Sequence, residues 1–376
     1  MAEIARGLEG VYVTATKLCQ IDGQKGELVY AGYDIYDLAE HSTFEEVAFL
    51  LWNLRLPSRA ELDELKHTLA AERHLSDLNS RLLRELVGIV RPMRALEICV
   101  TALGALDPRS SDLSHDQLKR TAAALTARMP TIVAAYHRLR TGQEPVPPRT
   151  DLGHAANFLY MLLGRAPNAQ ESRIFDVAMI LHAEHEMNAS TFASIVTAST
   201  LSDMYSAIAS AIGTLKGPLH GGANEAVYKL IEEIGDEANI PTYIDAMTAR
   251  GERLMGIGHR IYKTTDPRAK ILEKLGAELA NNSPERKYFD MSLKMRDYLA
   301  KKLEGRPLYP NVDFFSASVY KMLGIPSDLY TPIFALARIT GWTAHLLEQY
   351  ADNRLVRPNA LYEGAANRSY VPLESR

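Results

Sequence analysis

Strand-like patterning is confined to the start of the chain. Val11-Tyr12-Val13-Thr14 is rich in β-branched and aromatic residues, which favour strands. Ile21-Asp22-Gly23-Gln24 contains an Asp-Gly pair, typical of a hairpin turn, and Leu28-Val29-Tyr30 would be the returning strand. The sequence therefore predicts a small β-hairpin at the N-terminus.

After this point the spacing of apolar residues is helical nearly to the end. Leu62, Leu65 and Leu69 recur three and four residues apart, which is the period of one helix face. Helix starts are indicated by capping boxes and by prolines at the first helical position. The boxes are Thr43 with Glu46, Ser58 with Glu61 and Ser114 with Gln117, and the proline signals are Asp266-Pro267, Ser283-Pro284 and Thr331-Pro332.

Two long helices are predicted between these signals. Residues 118–139 form an amphipathic candidate, and residues 190–215 form a helix rich in Ala, Ser and Thr, whose small side chains permit close packing in a core or across a subunit interface. Residues 141–150, with three prolines, indicate a loop or linker. The predicted fold class is all-α with a small N-terminal β-hairpin.

Composition narrows the class of protein. The 376 residues suffice for two domains, and 47% hydrophobic with 23% charged residues is typical of a soluble globular protein. A net charge of -4 gives no sign of nucleic-acid binding. The two cysteines, Cys19 and Cys99, lack metal spacing and fit a reducing cytosol. With no signal peptide at Met1-Ala2-Glu3-Ile4 and no membrane-spanning apolar run, we expect a cytoplasmic protein without membrane contacts.

One segment places a histidine and several cationic side chains around a predicted helix start. It runs from Gly256-Ile257-Gly258-His259-Arg260 through Lys263 to Asp266-Pro267-Arg268. Glycines let the backbone approach a ligand closely, and a helix N-terminus presents N–H groups to an anion. The segment is a candidate site for an anionic ligand. A basic surface loop with a hydrogen-bonded histidine is the alternative.

Two other segments carry single titratable groups. In Gly217-Pro218-Leu219-His220-Gly221-Gly222, the helix start that follows His220 favours a neutral imidazole able to donate a hydrogen bond. In Tyr309-Pro310-Asn311-Val312-Asp313-Phe314, apolar neighbours are expected to raise the pKa of the Asp313 carboxyl. The alternatives are a helix-capping histidine and an N-cap aspartate.

The fourth segment is Leu181-His182-Ala183-Glu184-His185-Glu186. His182 and His185 are three residues apart on one predicted helix face, a spacing that could hold a metal with help from Glu184 or Glu186. The order differs from the usual zinc-protease motif and no third ligand lies nearby in the sequence. We therefore predict no metal site.

Two arginines are also candidates for ligand binding. Arg338 lies in an apolar helix, and Arg357 precedes Pro358. Because a buried unpaired cation is costly, Arg338 needs an acceptor. That acceptor is either a bound dicarboxylate or a structural Asp or Glu.

Together these segments resemble the citrate synthase family. The resemblance rests on GPLHGGANE, GIGHRIYKTTDPR, YPNVDFFSA and an arginine helix followed by Arg-Pro, and it extends from Lys17 to Gly364. It implies an almost entirely helical homodimer whose subunits have two domains around a cleft. The large domain would comprise residues 1–219 and 321–376, and the small domain residues 220–320.

The resemblance also implies the role of each site residue. The catalytic trio would be His220, His259 and Asp313. The oxaloacetate ligands would be His185, His259, Arg268, Arg338 and Arg357, of which Arg357 would reach the partner subunit's site. The CoA contacts would be Leu254, Gly256, Ile257, Gly258, Lys263 and Asn311. His182 would help set the acyl pocket, where methylcitrate members of the family often have Tyr.

The implied reaction is a Claisen condensation of acetyl-CoA with oxaloacetate, followed by hydrolysis of citryl-CoA to citrate and CoA, in the tricarboxylic acid cycle. Asp313 would deprotonate the acetyl methyl, neutral His220 would stabilise the enolate, and His259 would protonate the ketone oxygen. No cofactor is expected, since acetyl-CoA is a substrate. The expected partners are the two substrates and a second copy of the chain that shares the active sites.

Three rival functions remain at this stage. A 2-methylcitrate synthase would perform the same chemistry on propionyl-CoA. A helical scaffold of the same fold would have lost catalysis, although the full trio and all three arginines argue against it. A metal hydrolase built on His182 and His185 is the most distant alternative.

Overall fold

The computed structural model describes residues 4–376, in which 16 α-helices follow a small sheet. The first eight helices are α1 Ile35–His41, α2 Phe44–Asn53, α3 Arg59–Ala71, α4 Asp77–Leu86, α5 Pro92–Leu106, α6 His115–Arg140, α7 His154–Leu163 and α8 Ala169–Ala183. The remaining helices are α9 Ala189–Ala198, α10 Met204–Leu215, α11 Ala223–Ile234, α12 Ile240–Ala249, α13 Pro267–Ala280, α14 Arg286–Lys302, α15 Val312–Met322 and α16 Tyr330–Ala351. The all-α class with a small N-terminal sheet is confirmed.

The predicted hairpin is present. Strand β1 (Cys19–Asp22) pairs antiparallel with β2 (Glu27–Tyr30), and the Asp22 carboxylate accepts two backbone N–H bonds within the turn. A third strand, β3 (Tyr33–Asp34), continues the sheet beyond the prediction. The strand expected at Val11-Tyr12-Val13-Thr14 is wrong, because this segment pairs with no described strand and Tyr12 is 94% exposed.

Both long helix predictions need correction. Helix α6 spans residues 118–139 as expected, but it is buried on every side along residues 121–127 and is not amphipathic. Its Ala and Thr side chains are small enough for neighbouring helices to surround it. The segment 190–215 forms two helices, α9 and α10, because Leu201 takes a left-handed conformation at φ 63° and the Asp203 side chain caps a new helix.

Local capping accounts for several helix starts. The Ser58–Glu61 capping box is complete, Thr43 caps α2, and Asp266 caps α13 with Pro267 at the first helical position. The predicted box at Ser114 is wrong, because that side chain makes no capping hydrogen bond. The helices predicted at Ser283-Pro284 and Thr331-Pro332 begin at Arg286 and Tyr330.

The buried helix α16 is the centre around which the site is arranged. It packs against α6, α8 and α9, while α15 packs against α11, α13 and α14. The ends of α8, α13 and α15 carry His182, Arg268 and Asp313, and the loop before α13 carries His259. The division into domains at residues 219/220 and 320/321 stays a prediction. In the part of the chain described here, no helix is long and apolar enough to cross a membrane.

Candidate active site

A buried ion pair forms the floor of the site at the start of α13. The Asp266 carboxylate accepts hydrogen bonds from Arg268 Nε at 3.0 Å and Nη2 at 2.7 Å, and both side chains are buried. Burial alone would raise the pKa of Asp266, but the Arg268 charge outweighs it, so the pKa is lowered. Asp266 also accepts the Val312 backbone N–H at 3.2 Å, which connects Arg268 to the start of α15.

His259 is oriented by its own loop. Its Nδ1 accepts the backbone N–H groups of Ile261 at 3.1 Å and Tyr262 at 3.2 Å. Burial, assisted by the Arg268 charge, lowers the pKa of His259 to about 4, so the ring is neutral near pH 7. Because Nδ1 is an acceptor, the proton of the neutral ring lies on Nε2.

His185 lies beside His259. The two rings are 5.2 Å apart between centroids, and His185 Nε2 lies 3.3 Å from the Tyr262 hydroxyl. Burial and then Arg268 hold the pKa of His185 well below its ordinary value. The expectation that His185 and His182 share a helix face is wrong, because α8 ends at Ala183.

His220 sits in the turn before α11, near α9. Its Nε2 accepts the Ser190 backbone N–H at 3.3 Å and lies 2.8 Å from the Ser190 hydroxyl, which leaves the ring proton on Nδ1. The pKa of His220 is lowered to about 4, first by burial and then by the Arg338 charge. The ring is therefore neutral as expected, but burial is the main cause rather than the helix dipole.

Asp313 lies in the first turn of α15, where Asn311 is the N-cap. Burial raises the pKa of Asp313 to about 6, against the lowering effect of the Arg268 and Arg338 charges. The apolar setting expected from the sequence is present, and the alternative of Asp313 as N-cap is wrong. A carboxylate of this kind is a stronger base than an exposed one.

Arg338, in the middle of α16, lies beside His182 at the end of α8. Arg338 Nε donates to the His182 backbone carbonyl at 2.8 Å, and its guanidinium covers the Phe334 ring. His182 Nδ1 lies 2.7 Å from the Ala178 carbonyl, which can only accept, so Nδ1 carries the proton. Its buried Nε2 has no partner among the described residues, and burial lowers the pKa of the ring to about 3.

The glycine loop before His259 is paired with the segment before Asp313. Gly258 N–H donates to the Tyr309 carbonyl at 2.7 Å, and Asn311 N–H donates to the Gly256 carbonyl at 2.9 Å. Both glycines have positive φ, 78° for Gly256 and 84° for Gly258. Asn311 Nδ2 donates to the Gly258 carbonyl at 2.9 Å. The backbone is therefore fixed beside two candidate catalytic groups.

The other predicted ligand residues lie at the edge of the site or away from it. Leu254 and Ile257 are half-buried in the glycine loop, and Lys263 is exposed with its Nζ on the Arg260 carbonyl. Arg357 is exposed in the irregular C-terminal segment, where it donates to Asn359 at 2.8 Å. Within a single chain, no hydrogen bond among the described residues connects Arg357 to the buried cluster.

The cluster combines neutral histidines, a carboxyl group of raised pKa and two buried guanidinium groups. Within residues 4–376, no group of three or more His, Cys, Asp or Glu side chains is arranged to hold a metal ion. The chain matches the family described as "Citrate synthase, C-terminal domain" over residues 7–359. The chain belongs to the citrate synthase family.

Known members of the family are similar over their whole length. Citrate synthase 2 of Bacillus subtilis is 48% identical, with 99% of each chain covered. The ternary complex of carboxymethyl coenzyme A and oxaloacetate with citrate synthase from Thermoplasma acidophilum is 37% identical, with a TM-score of 0.95 and 100% of each chain covered. A 2-methylcitrate synthase of Shewanella oneidensis is 39% identical and covers 98% of this chain and 97% of its own.

Three supporting residues were missed or undervalued by the sequence reasoning. Asp266 was interpreted only as an N-cap, yet it also pairs with Arg268. Tyr262 contacts His185 and His259, and Ser190 contacts His220. Asp266 lies two residues before the candidate Arg268, so a search for an acidic partner near that arginine would have found it. The Ser190–His220 contact spans 30 residues and leaves no local signal.

Proposed function

We propose that the chain condenses acetyl-CoA with oxaloacetate and hydrolyses the resulting citryl-CoA to citrate and CoA, a step of the tricarboxylic acid cycle. The observation that carries this proposal is that two neutral histidines and a carboxyl group of raised pKa occur together in one site. His220 and His259 are neutral, while Asp313 has a pKa of about 6. This set supplies a base, an enolate stabiliser and a proton donor together.

Asp313 is the base that removes a proton from the acetyl methyl. That methyl is a weak acid, so a carboxylate needs the developing enolate to be stabilised as it forms. His220 provides this stabilisation, because its Nδ1–H is free to donate to the thioester oxygen while Nε2 is bound at Ser190. One such donor typically contributes about 3–4 kcal/mol to transition-state stabilisation.

His259 acts on the second substrate. Its Nε2–H donates to the oxaloacetate ketone oxygen, polarises the carbonyl, and gives up the proton as the carbon–carbon bond forms. The fixed acceptor role of Nδ1 toward Ile261 and Tyr262 keeps the proton on the nitrogen that needs it. His185 lies beside this ring and would donate to the same substrate.

The arginines hold the oxaloacetate carboxylates. The planar guanidinium fork matches carboxylate geometry, which favours Arg over Lys for this task. Arg268 and Arg338 are buried around the site, and Arg357 would be supplied by the second subunit. Closure of the predicted domains would exclude water until condensation is complete and so protect the thioester.

CoA would bind along the glycine loop. Gly256 and Gly258 have left-handed backbone conformations and no side chain, so the backbone of this loop can approach CoA closely. Gly256 is also required by packing, because a Cβ there would lie 2.6 Å from Val227. Lys263 is exposed and its Nζ makes one hydrogen bond, to the Arg260 carbonyl, so other donors of the ammonium group would meet a phosphate. Asn311 lies next to the base. In this proposal acetyl-CoA is a substrate and no cofactor takes part.

The proposal includes a cytoplasmic homodimer with shared sites. Exposed apolar side chains gather in the two irregular terminal segments, including Tyr12, Leu355, Tyr362 and Tyr370. Exposed apolar surface of this kind is typical of a subunit interface. Arg357 lies in the same C-terminal segment, so docking of a second copy would bring it to a new position. The cysteines Cys19 and Cys99 are unpaired, which suits a reducing compartment.

The test is release of free CoA from acetyl-CoA. We expect release that depends strictly on oxaloacetate and is unaffected by a chelator. Release without oxaloacetate, or loss of activity with chelator, would favour a hydrolase, and no release would favour the scaffold. The same assay with propionyl-CoA separates citrate synthase from 2-methylcitrate synthase, and we expect the higher kcat/KM with acetyl-CoA.

A further inference from the structure

Two ionisable side chains behind Arg338 are buried and paired with each other. Glu184 follows α8 and is 0% exposed, and His345 on α16 is 1% exposed. His345 Nε2 lies 3.0 Å from Glu184 Oε1. A buried charge is costly without a partner, so this pair requires an explanation beyond packing.

The pair lies on the same face of α16 as Arg338. Gly341 and His345 follow Arg338 by three and seven residues, which is the spacing of one helix face. A Cβ at Gly341 would lie 2.2 Å from Glu184 Oε2. The Glu184 carboxylate therefore lies directly against the helix backbone, between the arginine and the histidine.

Arg338 differs from Arg268 in its partners. Arg268 makes two hydrogen bonds to the Asp266 carboxylate, whereas Arg338 Nε uses a backbone carbonyl, that of His182. Among the described residues, no carboxylate lies within ion-pair distance of the Arg338 guanidinium. Burial lowers the pKa of Arg338, and the Glu184 charge is the largest effect that opposes this lowering, yet the Glu184 hydrogen bond goes to His345.

We propose that Glu184 and protonated His345 form a buried counter-charge pair that keeps Arg338 free to hold an oxaloacetate carboxylate. The inference rests on the proposed function, since it assumes that Arg338 is an oxaloacetate ligand. Both members of the pair are positioning residues and act through Arg338. When His345 carries its proton, the negative charge of Glu184 is neutralised; without that proton, Glu184 attracts the guanidinium away from the substrate.

The charges around His345 support a protonated ring. Burial acts to lower its pKa, but the Glu184 charge and hydrogen bond outweigh burial, and the pKa is raised above its ordinary value. A second carboxylate, Glu348 on the same helix, lies 3.9 Å from His345 Nδ1 and also raises the pKa of the ring. Glu186, on the segment after α8, interacts with the charge of His345, and the Arg338 charge lowers the pKa of His345. The other titratable groups near Glu184 are Cys19 on β1 and Tyr30 on β2.

The test is the KM for oxaloacetate between about pH 6 and 9, where histidines titrate. In the wild type we expect this KM to rise as His345 loses its proton. In His345→Gln, which keeps a polar side chain and removes the charge, we expect a KM about tenfold higher at pH 7 with little pH dependence. The KM for acetyl-CoA should stay unchanged in this variant.

The double variant Glu184→Gln/His345→Gln decides between positioning and mere packing. It removes both charges, so we expect its oxaloacetate KM to return toward the wild-type value while remaining independent of pH. Glu348→Gln is the control, because it alters the other nearby carboxylate and leaves the pair intact. Its oxaloacetate KM should still rise with pH, but at a lower pH than in the wild type, since Glu348 helps to keep the proton on His345. Circular dichroism checks that each variant is folded. If His345→Gln does not fold, the double variant alone still distinguishes positioning from packing.

Two outcomes would overturn the inference. One is an active wild type whose oxaloacetate KM is matched by His345→Gln at every pH. The other is a folded double variant that binds oxaloacetate as weakly as His345→Gln. A wild type without oxaloacetate-dependent CoA release would instead contradict the proposed function, so the two failures are distinguishable.

Discussion

The ring protons of His220 and His259 lie on opposite nitrogens. His220 Nε2 accepts a backbone N–H from Ser190, while His259 Nδ1 accepts two from its own loop. Burial keeps both rings neutral at pH 7. Each ring therefore presents one N–H, and the backbone decides which one, so the two histidines can serve different substrates.

Asp313 should set the acid limb of the pH profile. Its pKa is raised to about 6, and it must be ionised to act as a base. We predict that kcat/KM for acetyl-CoA falls about tenfold per pH unit below about pH 6 and is level just above it. His220 and His259 titrate near 4 and do not contribute in this range. A profile that stays level down to about pH 5 would contradict Asp313 as the base.

His182 should influence the choice of acyl group. It is buried between Phe334 and Tyr320, and its Nε2 has no partner in the described chain. We predict that His182→Tyr shifts the ratio of kcat/KM for acetyl-CoA over propionyl-CoA toward propionyl-CoA. One methylene is worth only about 1–3 kcal/mol, so the wild type should also show some propionyl-CoA turnover. An unchanged ratio would leave the function standing and remove His182 as its determinant.

The local chemistry of Asp313 could be predicted from the sequence, because its apolar neighbours are adjacent in the chain. The role of Arg338 could be predicted only in part. The sequence showed an arginine in an apolar helix that needed an acceptor, but Glu184 and His345 are 161 residues apart, so no spacing rule connects them. Long-range pairs of this kind come from the fold alone.

At the scale of elements, the hairpin turn packs against the His259 loop and supports it. A Cβ at Gly23 would lie 2.3 Å from the Ile261 carbonyl oxygen, and the Lys263 N–H donates to the Gly23 carbonyl at 2.8 Å. Gly23 is not in a left-handed conformation, so only this close approach demands glycine. The predicted β-hairpin thus supports the loop that carries His259.

We predict that Gly23→Ala lowers kcat/KM about 10- to 100-fold, because it displaces the loop that holds His259. The thermal midpoint should fall as well, because Gly23 is half-buried and the added Cβ must displace the Ile261 carbonyl. Gln24→Ala, a change at the next and exposed position, is the matched control and should have wild-type kinetics. Wild-type kinetics in Gly23→Ala would show that the contact is not needed.

The helices show what periodicity can and cannot predict. Apolar spacing and caps located several helices, including α3 with its complete capping box and α13 with its Asp-Pro start. The joint between α9 and α10 was missed, because Leu201 carries no glycine or proline signal for its left-handed backbone. The burial of α6 on all sides was missed because it depends on neighbours that are distant in sequence.

At the scale of the whole molecule, the proposed function includes a second subunit that completes the site. Arg357 is exposed in a single chain and its hydrogen bond goes to Asn359. We predict that Arg357→Ala and His220→Ala are each inactive, and that mixing the two restores part of the activity, because hybrid dimers regain one intact site. Activity is measured as CoA release after verified subunit exchange. Exchange without recovery would contradict shared sites.

The most direct test of the account is Asp313→Asn, assayed for both turnover and oxaloacetate binding. Asparagine keeps the size of the side chain and removes the base, while Arg268, Arg338 and His259 remain to bind oxaloacetate. We predict that the variant binds oxaloacetate with a Kd close to that of the wild type and releases no CoA above background from acetyl-CoA. Turnover near the wild-type rate in a folded Asp313→Asn protein would contradict the proposed mechanism.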